Sequence, residues 1–150
     1  MFDFLTDMLG PGHSPHVPCL QKILSLKYTV MLAYIAYGDQ LRAQWRDGIH
    51  DHFQEHLKNE RDDIYQLNKK ITALGGDACV APREVPPVPL DKPRAVFQTL
   101  LRMEEELVAA WSDLFHKTSD DVALNAMAQN GALADQQHAD DLKRYLRSKC

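Results

Sequence analysis

The chain has 150 residues, 45% of them hydrophobic and 25% charged, which suits one globular domain with a real core rather than two. Seventeen Lys and Arg against twenty-one Asp and Glu give a formal charge of −4 with no basic tail or stripe, so nucleic-acid binding by electrostatics is disfavoured. No apolar stretch approaches the roughly 20 residues of a membrane span; residues 1–10 carry Asp3 and Asp7 without the basic start of a secretory signal, so a cytoplasmic protein is expected. Cys19, Cys79 and Cys150, odd in number and without a Cys-x-x-Cys pair, are expected as reduced thiols rather than a disulfide framework or a cysteine zinc site.

Residues 1–18, with Gly10, Pro11, Gly12, Pro15 and Pro18, read as an irregular lead-in in which His13 and His16 carry no chemistry. No β-branched alternation is sustained anywhere, so the chain reads as all-α. A first helix is expected over about 20–45 on the stripe Ile23, Val30, Tyr34, Tyr37, Leu41 and Trp45, and a second over about 48–74 on Ile49, Phe53, Leu57, Ile64, Leu67 and Ile71. Gly75-Gly76 is a stop signal for the second.

Residues 77–92 hold Pro82, Pro86, Pro87 and Pro89 and form an extended connector, able to reach roughly 50 Å and so to cross a whole bundle. A third helix starts near Asp91 as cap and Pro93 in the first turn, with Phe97, Leu100, Leu107 and Trp111 on one face. Ser119-Asp120-Asp121 caps a fourth that runs to about residue 147. Two helical hairpins joined by one long crossover is a four-helix bundle of ferritin-like connectivity, spanning residues 1–150 as a single domain.

The informative residues are the polar ones in the apolar stripes. At 100° per residue, Glu60 falls within roughly 20° of the middle of the second helix's apolar face, and Asp63 projects one turn on. Of Glu104, Glu105 and Glu106, only Glu104 lies with Leu107 and Trp111 on the apolar side. Asp135 and His138 straddle the fourth stripe, and Lys27 sits in the middle of the first. Four carboxylates in a dry interior repel one another, and the compensation must be positive: Lys27, a protonated His138, or a divalent cation. Carboxylates with one imidazole suit iron, with manganese or zinc as alternatives. Lys27 alone could also bridge Glu60 and Glu104 with no metal at all. His50, His52 and His56 crowd the start of the second helix; His52 and His56 are spaced as a surface metal pair, although solvated histidines are the preferred reading. Tyr34, Tyr37 and Trp111 are read mostly as core, and no phosphate loop or nucleophile triad is found.

With these residues in place, the sequence resembles the ferritin-like superfamily, nearest to bacterioferritins and Dps-like miniferritins. The local match is Glu60-Arg-Asp-Asp63 followed by Ala-Leu-Gly75-Gly76, where the family carries Glu-x-x-His before Leu-Gly-Gly. Glu104 matches the third-helix glutamate, Trp111 the aromatic that follows it in Dps-like proteins, and Asp135-Gln-Gln-His138 the fourth-helix Glu-x-x-His. Lys27, Asp63 and Asp135 stand where the family has Glu, His and Glu; Arg61 stands at the haem-ligating Met of bacterioferritin, so haem is not expected.

The resemblance implies that Fe(II) binds among Glu60, Asp63, Glu104, Asp135 and His138, with Glu60, Glu104 and His138 as the catalytic set. A ferroxidase reaction with O2 or peroxide and storage or detoxification in a homo-oligomeric cage of 12 or 24 subunits would follow. It includes no DNA-binding tail and no membrane partner. Two alternatives remain: a bundle whose site has decayed, with Lys27 as internal counter-ion and a structural or assembly role, and a diiron-type oxygenase, for whose access channel so short a chain leaves little room.

Overall fold

A computed structural model describes residues 14–41, 48–89 and 91–147. Four α-helices account for most of them: α1 (Val17–Leu41), α2 (Gly48–Ala73), α3 (Pro93–Lys117) and α4 (Val122–Arg147). The all-α expectation holds, and among the described residues there is no strand. No described helix is long and apolar enough to cross a membrane. Cys19 and Cys79 are free thiols, while Cys150, His13 and Trp45 lie outside the described residues.

The helix ends follow from local chemistry. α1 begins three residues earlier than its apolar stripe suggested, because Ser14 starts a turn: its Oγ accepts from the His16 N–H at 3.2 Å and its carbonyl from Val17 at 3.1 Å. Pro18 is tolerated in that first turn, where its missing N–H would have no partner anyway. α2 closes as the double glycine foretold. Gly75 adopts φ 84°, Gly76 N–H donates to Ile71 O at 2.9 Å and Gly75 N–H to Thr72 O at 3.0 Å, a Schellman stop that needs the left-handed conformation glycine adopts freely. Asp91 does not cap α3; Lys92 holds the cap position, with no side-chain bond, and Pro93 opens the helix with one fewer amide to satisfy. Asp121, in the expected cluster, caps α4 by accepting from Leu124 N–H at 3.0 Å.

The connector runs along α1 from its beginning to its end. Gln21 donates to Asp77 O at 2.8 Å, Ser25 to Ala81 O at 2.6 Å, Thr29 Oγ1 accepts from Arg83 N–H at 2.8 Å, and the Tyr37 hydroxyl donates to Pro86 O. Positions 21 to 37 rise about 24 Å at 1.5 Å per residue, a span an extended chain covers with nine residues. Its prolines forgo amide donors that this one-sided attachment does not require. α3 therefore starts beside the end of α1 and runs parallel to α2, while α4 returns parallel to α1. Phe97 at the start of α3 meets Phe53 at the start of α2, with ring centroids 6.2 Å apart, and Tyr145 at the end of α4, 5.4 Å away. The core is a continuous column of buried Leu, Ile, Val and aromatic side chains from all four helices, and the polar residues of the stripes face one another within it.

Candidate metal centre

Lys27 of α1, Glu60 and Asp63 of α2, Glu104 of α3 and Asp135 and His138 of α4 meet between the helices, as the stripe positions predicted. Lys27, Glu60, Glu104 and Asp135 are wholly buried and His138 is 2% exposed. The Lys27 ammonium lies 2.7 Å from Asp63 Oδ2, 2.8 Å from Asp135 Oδ1 and 3.1 Å from Glu60 Oε2. Asp63 is the outermost member, its side chain 29% exposed. Burial opposes the charge on Lys27, but Glu60, Asp135, Asp63 and Glu104 together outweigh it and hold its pKa well above the ordinary lysine value.

The opposite half of the cluster is organised around His138. Its Nδ1 faces Glu60 Oε1 at 3.3 Å, Glu104 Oε1 at 3.5 Å and Asp135 Oδ1 at 3.6 Å, while the Asn59 amide lies 3.2 Å from Nε2 and engages that nitrogen outside the cluster. One atom each from Glu60, Glu104, Asp135 and His138 lie within 4.8 Å of one another. Asp63 is not in this quartet; it belongs to the lysine side. Glu60 and Asp135 join the halves, each reaching both Lys27 and His138.

Burial lowers the pKa of His138, but bonds and charges from Glu104 and Glu60 overturn this and raise it to about 10. Glu104 is pushed up to about 8, first by burial and then by Glu60 and Asp135, and Asp135 to about 6 by burial, against the pull of Lys27. The Glu104 carboxylate is itself what holds the proton on His138, so at neutral pH the metal-free cluster contains the Lys27 ammonium and a His138–Glu104 pair that retains its proton.

The donor set fits a divalent cation. Glu104 Oε2 is buried without a hydrogen-bond partner, and both oxygens of Glu60 and His138 Nδ1 are held only by long ion pairs of 3.1–3.6 Å. Buried polar groups are rarely left so unless something else is to satisfy them. Three carboxylates and one imidazole suit Fe(II), Mn(II) or Zn(II).

Residues read as ordinary core or surface turn out to orient the cluster. The Trp111 indole donates to Asp135 Oδ2 at 2.8 Å, and it can lie there because Gly131 is bare: a Cβ on Gly131 would stand 2.4 Å from the ring. The Tyr34 hydroxyl lies 3.2 Å from Glu104 Oε1 and 3.0 Å from His56 Nδ1. His56, expected in solvent, is 2% exposed, with its ring stacked on His138 at 4.0 Å and Nε2 3.2 Å from Asp141 Oδ2. Burial, and then the charge of His138, lowers its pKa to about 4, so it is a neutral imidazole. The spacing of His56 held the clue: four residues before Glu60 and three after Phe53, it lies on the apolar face of α2. Asp141 likewise follows His138 by three positions.

A cleft of about 650 Å³ reaches Asp63 and Trp111 and is lined also by Lys70, Ala73, Met127 and Gly131.

The sequence profile of the ferritin-like domain matches residues 19–149, and the chain belongs to that family. Among solved structures it resembles a ferritin-like, diiron-carboxylate protein from Bacillus anthracis str. Ames, with a TM-score of 0.75 and 17% identity over 87% of this chain and 94% of that one. It also resembles the bacterioferritin BfrA of Mycobacterium tuberculosis, with a TM-score of 0.79 and 14% identity over 90% and 86% of the two chains. These likenesses concern the fold. No curated protein sequence matches.

Proposed function

We propose that this protein binds one divalent iron per chain at Glu60, Glu104, Asp135 and His138, with the Lys27 ammonium permanently filling the other half of what its relatives would use as a two-metal centre. The carrying observation is the asymmetry of the cluster: Lys27 has three carboxylates within 3.1 Å, whereas His138 Nδ1 stands farther, 3.3–3.6 Å, from its three carboxylates and Glu104 Oε2 is buried without a hydrogen-bond partner. Iron is the metal the family relationship favours, and the diiron-carboxylate and bacterioferritin neighbours support it.

Iron is here the substrate. Glu60, Glu104 and Asp135 supply hard oxygen donors that suit Fe(II) and retain Fe(III) after oxidation by O2 or peroxide, and His138 anchors the ion through Nδ1. Uptake at neutral pH displaces the proton held by the His138–Glu104 pair, so metal binding is favoured as pH rises. Storage or detoxification follows if chains assemble into a homo-oligomeric cage. Leu32 and Ile35, exposed on one side of α1 at 39% and 49%, give such an assembly apolar surface to cover.

The second reading, a metal-free bundle with a structural or assembly role, is favoured by the three Lys27 ion pairs. Anaerobic Fe(II) titration of the metal-free protein separates the two, followed by air and a count of iron retained after gel filtration. One Fe(II) per chain that depends on Glu104 is expected in the wild type, lost in Glu104→Ala and joined by one more in Lys27→Glu. Absence of binding in the wild type selects the metal-free reading, and undiminished binding in Glu104→Ala removes the proposed site.

A further inference from the structure

Outside the buried cluster, a second group of ligand-type side chains converges between α2 and α4. His52 and His56, one helical turn apart on α2, face Asp141 of α4, and one atom from each of the three lies within 4.8 Å of the others. From these residues we infer a second divalent-cation site, of the two-imidazole, one-carboxylate class that zinc occupies with a water completing the tetrahedron.

Each ligand is already oriented by a partner on its far side. Asp141 Oδ1 accepts from Gln137 at 3.2 Å and is bonded by Arg144, which leaves Oδ2 turned to the imidazoles. His56 Nδ1 is engaged by the Tyr34 hydroxyl, which leaves Nε2 to face Asp141. Anchoring of this kind is what fixes ring and carboxylate orientation in metal sites. The spacing also agrees. Zinc bonds of about 2.0–2.2 Å in a tetrahedron set ligand atoms about 3.4 Å apart, and His56 Nε2 and Asp141 Oδ2 stand 3.2 Å apart. His52 Nδ1 lies 4.0 Å from the same oxygen; its side chain is 41% exposed, so it is the ligand free to close the remaining distance.

The site opens to solvent through His52, while its innermost ligand, His56, stacks on His138 of the buried cluster. It is nevertheless a separate site, sharing no ligand with Glu60, Glu104, Asp135 or His138, and it does not depend on the iron reading of that cluster.

Equilibrium dialysis of the metal-free protein against Zn(II), with Co(II) as the spectroscopic probe, tests it in the wild type, His52→Ala, Asp141→Asn and Glu104→Ala, with helical content checked by circular dichroism. The expected result is up to two Zn(II) per chain, one of which is lost, or bound at least tenfold more weakly, in His52→Ala and Asp141→Asn and kept in Glu104→Ala, with tetrahedral Co(II) absorption in Glu104→Ala that is missing when His52→Ala is added. Zinc stoichiometry and affinity in His52→Ala equal to the wild type would overturn the inference. So would loss of the His52-dependent ion in Glu104→Ala, because the two sites would then not be separate. A failure of iron binding at the buried cluster leaves both readouts intact.

Discussion

The two halves of the buried cluster solve one electrostatic problem in different ways. On the Asp63 side, the excess of carboxylates is balanced by a cation tethered to the backbone, Lys27, whose ammonium can neither dissociate nor act as a metal ligand while charged. On the Glu104 side the balance comes from the proton that the His138–Glu104 pair retains, which the proposed iron would displace. A tethered cation makes stability independent of metal supply; exchangeable protons keep a site available. Glu60 and Asp135 touch both halves, so a change in one is felt by the other.

The largest expected effect breaks the tethered half. Lys27→Met keeps the volume but removes the ammonium that bridges Glu60, Asp63 and Asp135, and removal of one partner from a buried ion pair costs about 3–5 kcal/mol. Urea denaturation of the metal-free protein should show that loss, with partial recovery on adding a divalent metal. A loss under about 1 kcal/mol would mean that the lysine half is not what balances the cluster.

A second effect separates the halves by pH. The folded pKa values of Glu104 and His138, about 8 and about 10, lie above the ordinary 4.5 and 6.5, so the native chain holds more protons than the unfolded one. Their contribution to stability is complete below the unfolded values and is lost as pH rises through the folded ones. Thermal unfolding of the metal-free protein should therefore move to lower temperature as pH rises from about 4.5 to 10, and Glu104→Gln should flatten the part between about 4.5 and 8. Metal affinity should rise over the same window, because the ion competes with those protons. A flat stability profile from pH 6.5 to 10 would show that the Glu104 half is not held by exchangeable protons.

The smallest effect comes from the wall of the site. Gly131→Ala puts a methyl group against Trp111 and should cost about 1–3 kcal/mol as overpacking, lowering Tm by several degrees in a chain of this length. It should also weaken metal binding at Asp135, which would lose the indole bond. An unchanged Tm would show that Trp111 can yield and does not fix the Asp135 carboxylate.

Much of the centre was legible in the residues. The 3.6-residue period placed Lys27, Glu60, Glu104, Asp135 and His138 on inward faces, and a charged side chain at such a position is costly enough to mark itself. Asp63, one turn from Glu60, was placed near the cluster, although its partner is the lysine. What escaped were residues that read equally well in two ways. His56 stands in a run of histidines that reads as surface, yet its register with Phe53 and Glu60 buries it. Tyr34 and Trp111 looked like core and are core, but their polar ends are bonded to Glu104 and Asp135. Gly131 carried no signal at all, because its role is set by the ring packed on it from another helix.

Periodicity, stop and cap residues and the proline-rich connector thus determined, from the sequence alone, four helices, one crossover and the residues that turn inward, since each depends on local backbone geometry and on which face meets water. Pairing was decided only in three dimensions: Lys27 with Asp63, His138 with Glu104, His52 and His56 with Asp141. Helical spacing fixes an angle around one axis but not the rotation and height of one helix against the next, and it is those contacts between helices that divide the cluster into a lysine half and a proton half.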